Sequence, residues 1–210
     1  MTDPKQLIEN NHAWAATIQE DNPDFFANMA KGQSPKYLWI GCADSRVPAT
    51  QALGLGPGDV FVHRNVANLA VHTDLNMLTV LQYAVEHLKV EHVIVCGHQH
   101  CGGVQAAMSN TDFGQINPWL RSIKDTYRAH AAEFEGIEDQ ASRVDLLVRL
   151  NVATQVRNLA ETDIIQKAWK AGQSLQIHGW LFTLETGKVT DLEKTISGPD
   201  ELTSIHRLDV

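Results

Sequence analysis

Three short, largely apolar runs constrain the fold of this chain more than any other feature. They are "KYLWIG" (36–41), "DVFVHR" (59–64) and "EHVIVCG" (91–97), and residues 75–88, between the second and the third, carry apolar side chains at helical spacing. Continuous apolar runs of this length are typical of strands that are buried on both faces of a sheet. Strand, helix and strand in this order predict a parallel sheet with crossover helices. The predicted fold class is therefore α/β, with a mainly parallel central β-sheet and flanking helices.

Helical patterns lie on either side of this core. Residues 3–31 are predicted to be helical with a break at Pro23, and we expect this N-terminal helical arm to pack on another surface. Residues 116–135 and 139–171 are predicted to form long helices, and residues 174–192 two short strands joined by a turn. The length of 210 residues fits one domain better than two. We predict a single domain over residues 1–210, made of the helical arm (1–34), an α/β core (35–105), and helices with closing strands (106–210).

Composition limits the classes of partner. The net charge of -8 argues against nucleic acid, because nucleic-acid binding depends on a basic surface that this sequence lacks. No run reaches the roughly 18 apolar residues that indicate a membrane span. The opening residues, "MTDPKQLIENNHAW", do not show a basic stretch leading into an apolar one. We therefore expect a cytoplasmic protein that binds a small ligand and neither nucleic acid nor membrane.

Side chains able to bind a metal follow two of the predicted strands. Cys42, Asp44 and Arg46 lie in "CADSRVP" after the first run, and His98 and Cys101 lie in "CGHQHCGG" after the third. The carboxyl ends of strands in an open parallel sheet border one crevice, so the two stretches can meet. Thiolate and imidazole are preferred ligands of zinc, which takes four ligands in a tetrahedron. The sequence therefore predicts a zinc site formed by Cys42, His98 and Cys101, and the odd count of three cysteines also favours ligation over disulfide bonding.

Asp44 and Arg46 give the predicted site a catalytic character. A structural zinc site usually closes with four protein ligands, whereas a catalytic one keeps a position for water. Asp44 can be the fourth ligand, or it can hydrogen-bond to whatever occupies that position. If Arg46 pairs with Asp44, the arginine keeps the carboxylate ionised and turned away from the metal, free to accept a proton or to orient the zinc water. This hypothesis of a gating pair predicts that Arg46→Ala retains zinc but loses turnover.

The sequence resembles the β-class carbonic anhydrases over nearly its whole length. "CADSRVP", "FVHRNVAN" and "CGHQHCGG" are similar to that family's signatures and occur in the family's order. The resemblance points to the bacterial type and to the bicarbonate-regulated subtype. It implies one Zn²⁺ per subunit, bound by Cys42, His98 and Cys101, with Asp44 as the fourth ligand or, paired with Arg46, as activator of the zinc water. The implied activity is that of a lyase, the reversible hydration of carbon dioxide to bicarbonate and a proton by attack of zinc-bound hydroxide.

The resemblance also implies further sites and an assembly. The pocket for carbon dioxide and bicarbonate would include residues that reach in from a partner subunit. A regulatory bicarbonate site would use a tryptophan, an arginine and a late tyrosine, but "HGWLF" provides Leu181 and Phe182 where the tyrosine is expected. The family forms homodimers that assemble into homotetramers, with the N-terminal arm clasping the neighbour. The implied substrate-binding residues are Gln33, Phe61, Val66, Tyr83 and Gly103, and the implied regulatory residues are Trp39 and Arg64.

Alternative functions and ordinary structural roles are compatible with the same residues. The zinc site would also suit hydrolysis of carbon disulfide or carbonyl sulfide, and a structural zinc would make the protein a non-catalytic zinc-stabilised module. Cys96 is predicted to be a core residue, and His100 a loop residue that does not compete for the metal. Trp39 fits a core aromatic as well as a ligand-binding one.

Overall fold

The structure, a computed structural model, describes residues 3–210 and consists of two compact units. The first unit ends at Ser34 and contains helices α1 (Pro4–Asp21) and α2 (Phe25–Met29). The predicted arm is therefore helical, with its break where the sequence indicated it. The prediction of one domain over residues 1–210 stays a prediction.

The second unit, Pro35–Val210, is built around a five-stranded sheet flanked by helices. Across residues 3–210, no helix combines the length and the apolar character that a membrane span requires. The strands are β1 (Tyr37–Cys42), β2 (Val60–Asn65), β3 (His92–His98), β4 (Gln176–Thr183) and β5 (Lys188–Asp191). The helices are α3 (Leu75–Gln82), α4 (Gly102–Ala107), α5 (Asn117–Ala129), α6 (Gln140–Ala160) and α7 (Asp163–Lys170).

The strand order in the sheet is β2-β1-β3-β4-β5. Strands β1 to β4 are parallel, and β5 pairs antiparallel with β4. This arrangement confirms the predicted mainly parallel α/β fold. Because β1 and β3 are neighbours, with Gly41 opposite Cys96, the loops that leave their carboxyl ends emerge side by side.

Both faces of the sheet are buried, against different parts of the chain. Leu38 and Val95 belong to a core cluster that includes residues of α3, α6 and α7. Trp39, Ile94 and Phe182 belong to another cluster, which the loop after β1 helps to cover. Successive side chains of a strand point to opposite faces, so a strand buried on both sides needs apolar residues at every position. Each large side chain buried in this way contributes about 1.5–3 kcal/mol, which is why apolar runs mark β1 and β3.

Helix boundaries differ from the predicted ones at three places. The helix predicted over residues 116–135 is α-helical only to Ala129 and is followed by a separate 3-10 turn, Ala131–Phe134. The helix predicted over residues 139–171 is divided into α6 and α7, because the Thr162 hydroxyl accepts a hydrogen bond from the Ile165 N–H and starts α7. Helix α3 ends at Gln82 and continues as a wider π-helical turn, Tyr83–His87. Hydrophobic spacing over so short a stretch does not distinguish this turn from an α-helix.

Candidate metal centre

Three side chains with ligand atoms come from two neighbouring strands. Cys42 is the last residue of β1, His98 is the last residue of β3, and Cys101 is the N-cap of α4. Their ligand atoms lie within 4.8 Å of one another, with 3.9 Å between the two Sγ atoms. All three side chains are buried. The pairing of β1 with β3 thus brings together two cysteines that are 59 residues apart in the sequence.

The imidazole of His98 is oriented for metal binding. Its Nδ1 lies 2.8 Å from the backbone carbonyl of Gln99, and since a carbonyl can only accept, Nδ1 carries the proton. The other nitrogen, Nε2, is buried without a hydrogen-bond partner among the described residues. Zinc-ligating histidines are usually fixed in this way, with one nitrogen bound to a carbonyl and the other free for the metal. A donor set of one imidazole and two thiols fits zinc.

The two thiols of the cluster differ in acid strength. A hydrogen bond from the Cys101 thiol lowers the pKa of Cys42, and the His98 ring and the Ala67 backbone N–H, 3.4 Å from Sγ, lower it further. The same hydrogen bond to the Cys42 sulfur raises the pKa of Cys101, and burial adds to this rise. The proton is therefore held more tightly on Cys101 than on Cys42. A divalent cation between the sulfurs favours loss of that proton, so metal binding is coupled to proton release.

Asp44 and Arg46 form a two-point ion pair beside the cluster. Arg46 donates from Nε to Asp44 Oδ1 at 2.9 Å and from Nη2 to Oδ2 at 2.7 Å, and its backbone N–H donates to Oδ1 at 2.9 Å. The Arg46 side chain holds the pKa of Asp44 well below its usual range, and the carboxylate in turn raises the pKa of Arg46. Asp44 Oδ2 lies 3.8 Å from His98 Nε2. The carboxylate thus borders the ligand cluster while both of its oxygens accept hydrogen bonds from arginine.

The residues predicted to bind regulatory bicarbonate lie close to the loop that follows β1. Arg64 donates from Nε to the Cys42 carbonyl at 2.9 Å and from Nη2 to the Asp44 carbonyl at 2.6 Å. Trp39 is fully buried, and its Nε1 has no hydrogen-bond partner in the described part of the chain. Phe182 packs in the same core cluster as Trp39. Leu181 belongs to a different cluster, because successive side chains of β4 point to opposite faces of the sheet.

Four of the residues predicted to bind substrate form two pairs in the second unit. Gly103 in α4 approaches Val66 so closely that an added Cβ would lie 2.8 Å from Val66 Cγ1. Phe61 and Tyr83 pack against each other, with ring centroids 5.8 Å apart. Gln33 belongs to the first unit. The structure therefore brings four of the five residues together in two pairs, and the roles of all five in substrate binding stay predictions.

Two contacts of the centre have no signature in the sequence. Ala67 donates its N–H to Cys42 Sγ from a left-handed backbone conformation, with φ of 66°. An alanine in the sequence does not indicate this conformation, because residues other than glycine rarely adopt it. Gln99 contributes only its backbone carbonyl, so its side chain carries no signal. His100, predicted to be a loop residue, lies apart from the cluster and pairs with Glu185.

Comparison with known proteins places this metal centre in a family. The family model described as carbonic anhydrase matches residues 37–189. The chain is 47% identical over 203 residues to a carbonic anhydrase of Emericella nidulans, with 97% of this chain and 88% of that protein covered. It is 32% identical over 200 residues to a carbonic anhydrase of Synechococcus elongatus, with 92% and 73% covered.

Solved structures share the fold. Tetrameric β-carbonic anhydrases from Sordaria macrospora match with a TM-score of 0.88 and 41% identity, covering 92% of this chain and 98% of that chain. Coccomyxa β-carbonic anhydrase in complex with acetazolamide matches with a TM-score of 0.90 and 39% identity, covering 96% and 91%. The buried Cys-His-Cys cluster at the carboxyl edge of the parallel sheet has the donor atoms to hold a metal ion. The chain belongs to the β-class carbonic anhydrase family and is an enzyme of that class.

Proposed function

We propose that the chain catalyses the reversible hydration of carbon dioxide to bicarbonate and a proton at one zinc ion bound by Cys42, His98 and Cys101. The observation that carries this proposal is the buried cluster of three ligand atoms within 4.8 Å, in which His98 Nε2 has no other partner among residues 3–210. Membership of the carbonic anhydrase family supports the same reaction.

Asp44 is the protein group best placed to assist the substrate water. Zinc supplies Lewis acidity, which lowers the pKa of coordinated water towards neutrality. Two thiolates offset the charge of the ion, so further help from the protein is needed. Asp44 Oδ2 borders the cluster and can accept a hydrogen bond from the water that attacks carbon dioxide. Because Arg46 lowers the pKa of Asp44, this carboxylate stays ionised and orients the water, and the proton passes to buffer.

Arg46 acts in the proposal as the gate. Three N–H donors from Arg46 bind the two oxygens of Asp44. To become the fourth zinc ligand, Asp44 would have to give up charge-assisted hydrogen bonds, which are among the strongest in proteins. The ion pair therefore keeps a coordination position available for substrate.

The test compares zinc content and carbon dioxide hydration across pH in the wild type and three variants. Arg46→Ala is expected to keep its zinc and lose at least about 100-fold in turnover, at the lower end of what a positioned acid–base group contributes. Cys42→Ser is expected to lose zinc as well. Arg128→Ala is the matched control, because Arg128 is an exposed arginine that pairs with Asp125 at 2.8 Å. Full activity of Arg46→Ala would overturn the gate, whereas a folded wild type that binds no zinc would overturn the proposed function.

The alternative functions are not favoured. Hydrolysis of carbon disulfide or carbonyl sulfide would use the same metal centre, and family membership gives no support to it over carbon dioxide hydration. A non-catalytic zinc-stabilised module would not need the Asp44–Arg46 pair beside the cluster. Assays of the zinc-loaded wild type with each substrate separate the three functions.

We also propose that bicarbonate binds near Trp39 and Arg64 and, like low pH, favours a closed state in which Asp44 binds zinc. The buried Nε1 of Trp39, which has no partner in the described chain, supports an acceptor ligand at this place. The phenyl ring of Phe182 cannot supply the hydroxyl that a tyrosine would. The proposed affinity for bicarbonate is accordingly weaker than it would be with that tyrosine.

The proposal includes an oligomeric state and a cellular location. We propose a homodimer that pairs into a homotetramer, which is supported by the tetrameric state of the Sordaria macrospora proteins. The N-terminal arm is proposed to clasp a neighbouring subunit. This role is supported by exposed apolar side chains on α1, namely Leu7, Ile8 and Trp14. A cytoplasmic location is proposed because ligation through Cys42 and Cys101 requires reduced thiols.

A further inference from the structure

The backbone of residues 66–70, directly after β2, adopts a conformation that needs external support. Ala67 and Asn68 have φ values of 66° and 50°, in the left-handed region. The Cβ of alanine is crowded by the backbone in this region, whereas asparagine adopts it more readily. Both residues are buried, so water does not stabilise the segment. Other parts of the chain must therefore hold it in place.

The side chains of Asn65 and Trp119 bind the backbone at Leu69 and Val66, and a row of side-chain amides on α6 supports the backbone at Ala67 and Ala70. Asn151, Gln155 and Asn158 lie four and three residues apart and so share one face of the helix. Asn151 Nδ2 donates to the Ala67 carbonyl at 3.0 Å, and Gln155 Oε1 accepts from the Ala70 N–H at 2.8 Å. Asn158 Nδ2 donates to the Ala70 carbonyl at 3.1 Å. We call these three side chains the amide ladder.

The amide ladder is connected internally as well. Gln155 Nε2 donates to Asn151 Oδ1 at 3.0 Å, and Asn158 Nδ2 donates to Gln155 Oε1 at 3.1 Å. Gln155 is fully buried and makes three hydrogen bonds in all. A buried polar network in which each member is satisfied makes a segment rigid, because every displacement breaks several bonds in a low dielectric.

The supported segment contacts both halves of the metal centre. The Ala67 N–H donates to Cys42 Sγ at 3.4 Å. On the other side, a Cβ added to Gly103 would lie 3.2 Å from the Ala67 Cβ, so Ala67 also packs against the start of α4, two residues after Cys101. Residues 66–70 therefore contact both of the stretches that carry the thiols.

We infer that the amide ladder of α6 positions the zinc ligand Cys42 through Ala67. The inference rests on the proposed zinc centre, and it assigns Asn151, Gln155 and Asn158 as positioning residues that do not touch metal or substrate. An N–H donated to a ligating sulfur fixes its lone pairs and tempers its charge, as outer-shell partners of metal ligands do. Loss of the ladder lets Ala67 relax from its left-handed conformation and removes that hydrogen bond.

The test replaces Gln155 by methionine, which has a similar length and no hydrogen-bonding amide. Gln155→Met is expected to bind zinc roughly 10- to 100-fold more weakly, the usual effect of losing an outer-shell partner. In the cobalt-substituted protein, the thiolate-to-cobalt absorption is expected to shift. Gln166→Met is the matched control, since Gln166 is also buried and makes three hydrogen bonds, but to Glu161 and the C-terminal residues His206 and Leu208.

The outcomes separate the inference from the proposed function. A wild type that binds no zinc contradicts the metal centre itself. A wild type that binds zinc, with a Gln155→Met variant of unchanged zinc affinity and cobalt spectrum, contradicts the ladder alone. Equal weakening in Gln155→Met and Gln166→Met also contradicts it, because the effect would then follow from general destabilisation.

A second measurement needs no variant and applies even if Gln155→Met fails to fold. In wild-type protein loaded with an NMR-active isotope of cadmium, the Ala67 amide proton is expected to show a scalar coupling to the metal through the Cys42 sulfur. The amide is also expected to be among the slowest to exchange with solvent. Absence of the coupling in a fully loaded sample would contradict the inference.

Discussion

Arg64 connects the proposed regulatory site to the metal centre through two hydrogen bonds. Its guanidinium holds the carbonyls of Cys42 and Asp44, so the backbone of the first ligand stretch depends on one side chain. An anion bound at Arg64 would compete for the same donors, because guanidinium prefers a charged acceptor to a carbonyl. Movement of Arg64 towards an anion would free the backbone at Asp44. This link gives a physical reason for bicarbonate to affect the position of Asp44.

Phe182→Tyr tests this regulation at the level of one atom. The added hydroxyl would lie in the buried cluster that contains Trp39, where an unpaired polar group costs about 1–3 kcal/mol. Bicarbonate that binds there can satisfy the hydroxyl. We therefore expect a lower melting temperature without bicarbonate, a larger rise on adding it than in the wild type, and stronger inhibition of hydration. Chloride serves as the control anion, and identical bicarbonate titrations of the two proteins would contradict the site.

At the scale of elements, the junction between β3 and α4 determines how closely the second ligand stretch approaches the first. Helix α4 starts immediately after Cys101, and its second residue, Gly103, packs against Val66 and Ala67. A side chain at this position would separate α4 from the segment that follows β2. The adjacent Gly102 has open space around it, with no atom within 4 Å of an added Cβ.

Two neighbouring glycines therefore give a controlled experiment. Gly103→Ala is expected to cost about 1–3 kcal/mol in unfolding free energy through overpacking. It is also expected to reduce turnover, because a displacement of about 1 Å in a catalytic site can cost roughly 100-fold. Gly102→Ala, one residue away in the same helix, is expected to leave both nearly unchanged. Denaturant unfolding and hydration kinetics on the two variants measure these effects, and equal behaviour would show that the contact with Val66 is unimportant.

The sequence predicts this architecture well where side-chain identity carries the information. Strands β1 and β3 are recognisable because both of their faces are buried, and Cys42, His98 and Cys101 are recognisable because few side chains bind zinc. The break at Thr162 and the π-helical turn after α3 were missed, since both depend on local hydrogen bonds within otherwise helical patterns.

Backbone contacts of the metal centre could not be predicted. The Ala67 N–H and the Gln99 carbonyl act through main-chain atoms that every residue has. The amide ladder could not be predicted either, because in the sequence Asn151 and Gln155 are ordinary polar residues beside an apolar stripe. Only the packing of α6 under residues 66–70 gives them a role.

At the scale of the whole molecule, the buried His63 and the half-buried His178 make stability depend on pH. Burial lowers the pKa of His63 and of His178, and the neighbouring His92 lowers the pKa of His178 further while Asp191 opposes it. The unfolded chain, with histidine pKa values near 6.5, then binds more protons than the folded chain just below that pH. The free energy of unfolding therefore decreases as pH falls below about 6.5.

Denaturant unfolding at about pH 7.5 and about pH 5.5 measures this dependence. A chelator is present in every sample, so that acid release of metal makes no contribution. His178→Gln is expected to reduce the loss of stability between the two conditions, whereas His12→Gln, on the exposed α1, is expected to leave it unchanged. A steeper loss in His178→Gln than in the wild type would contradict the assignment.

The separation of β1 and β3 along the chain also sets the order in which the two thiols are synthesised. Cys42 leaves the ribosome 59 residues ahead of Cys101. At translation rates of roughly 5–20 residues per second, this interval lasts about 3–12 s. During this interval the nascent polypeptide carries Cys42 without Cys101, so zinc delivery is a late step of maturation. Before that step, the thiol of Cys42 is exposed to oxidation.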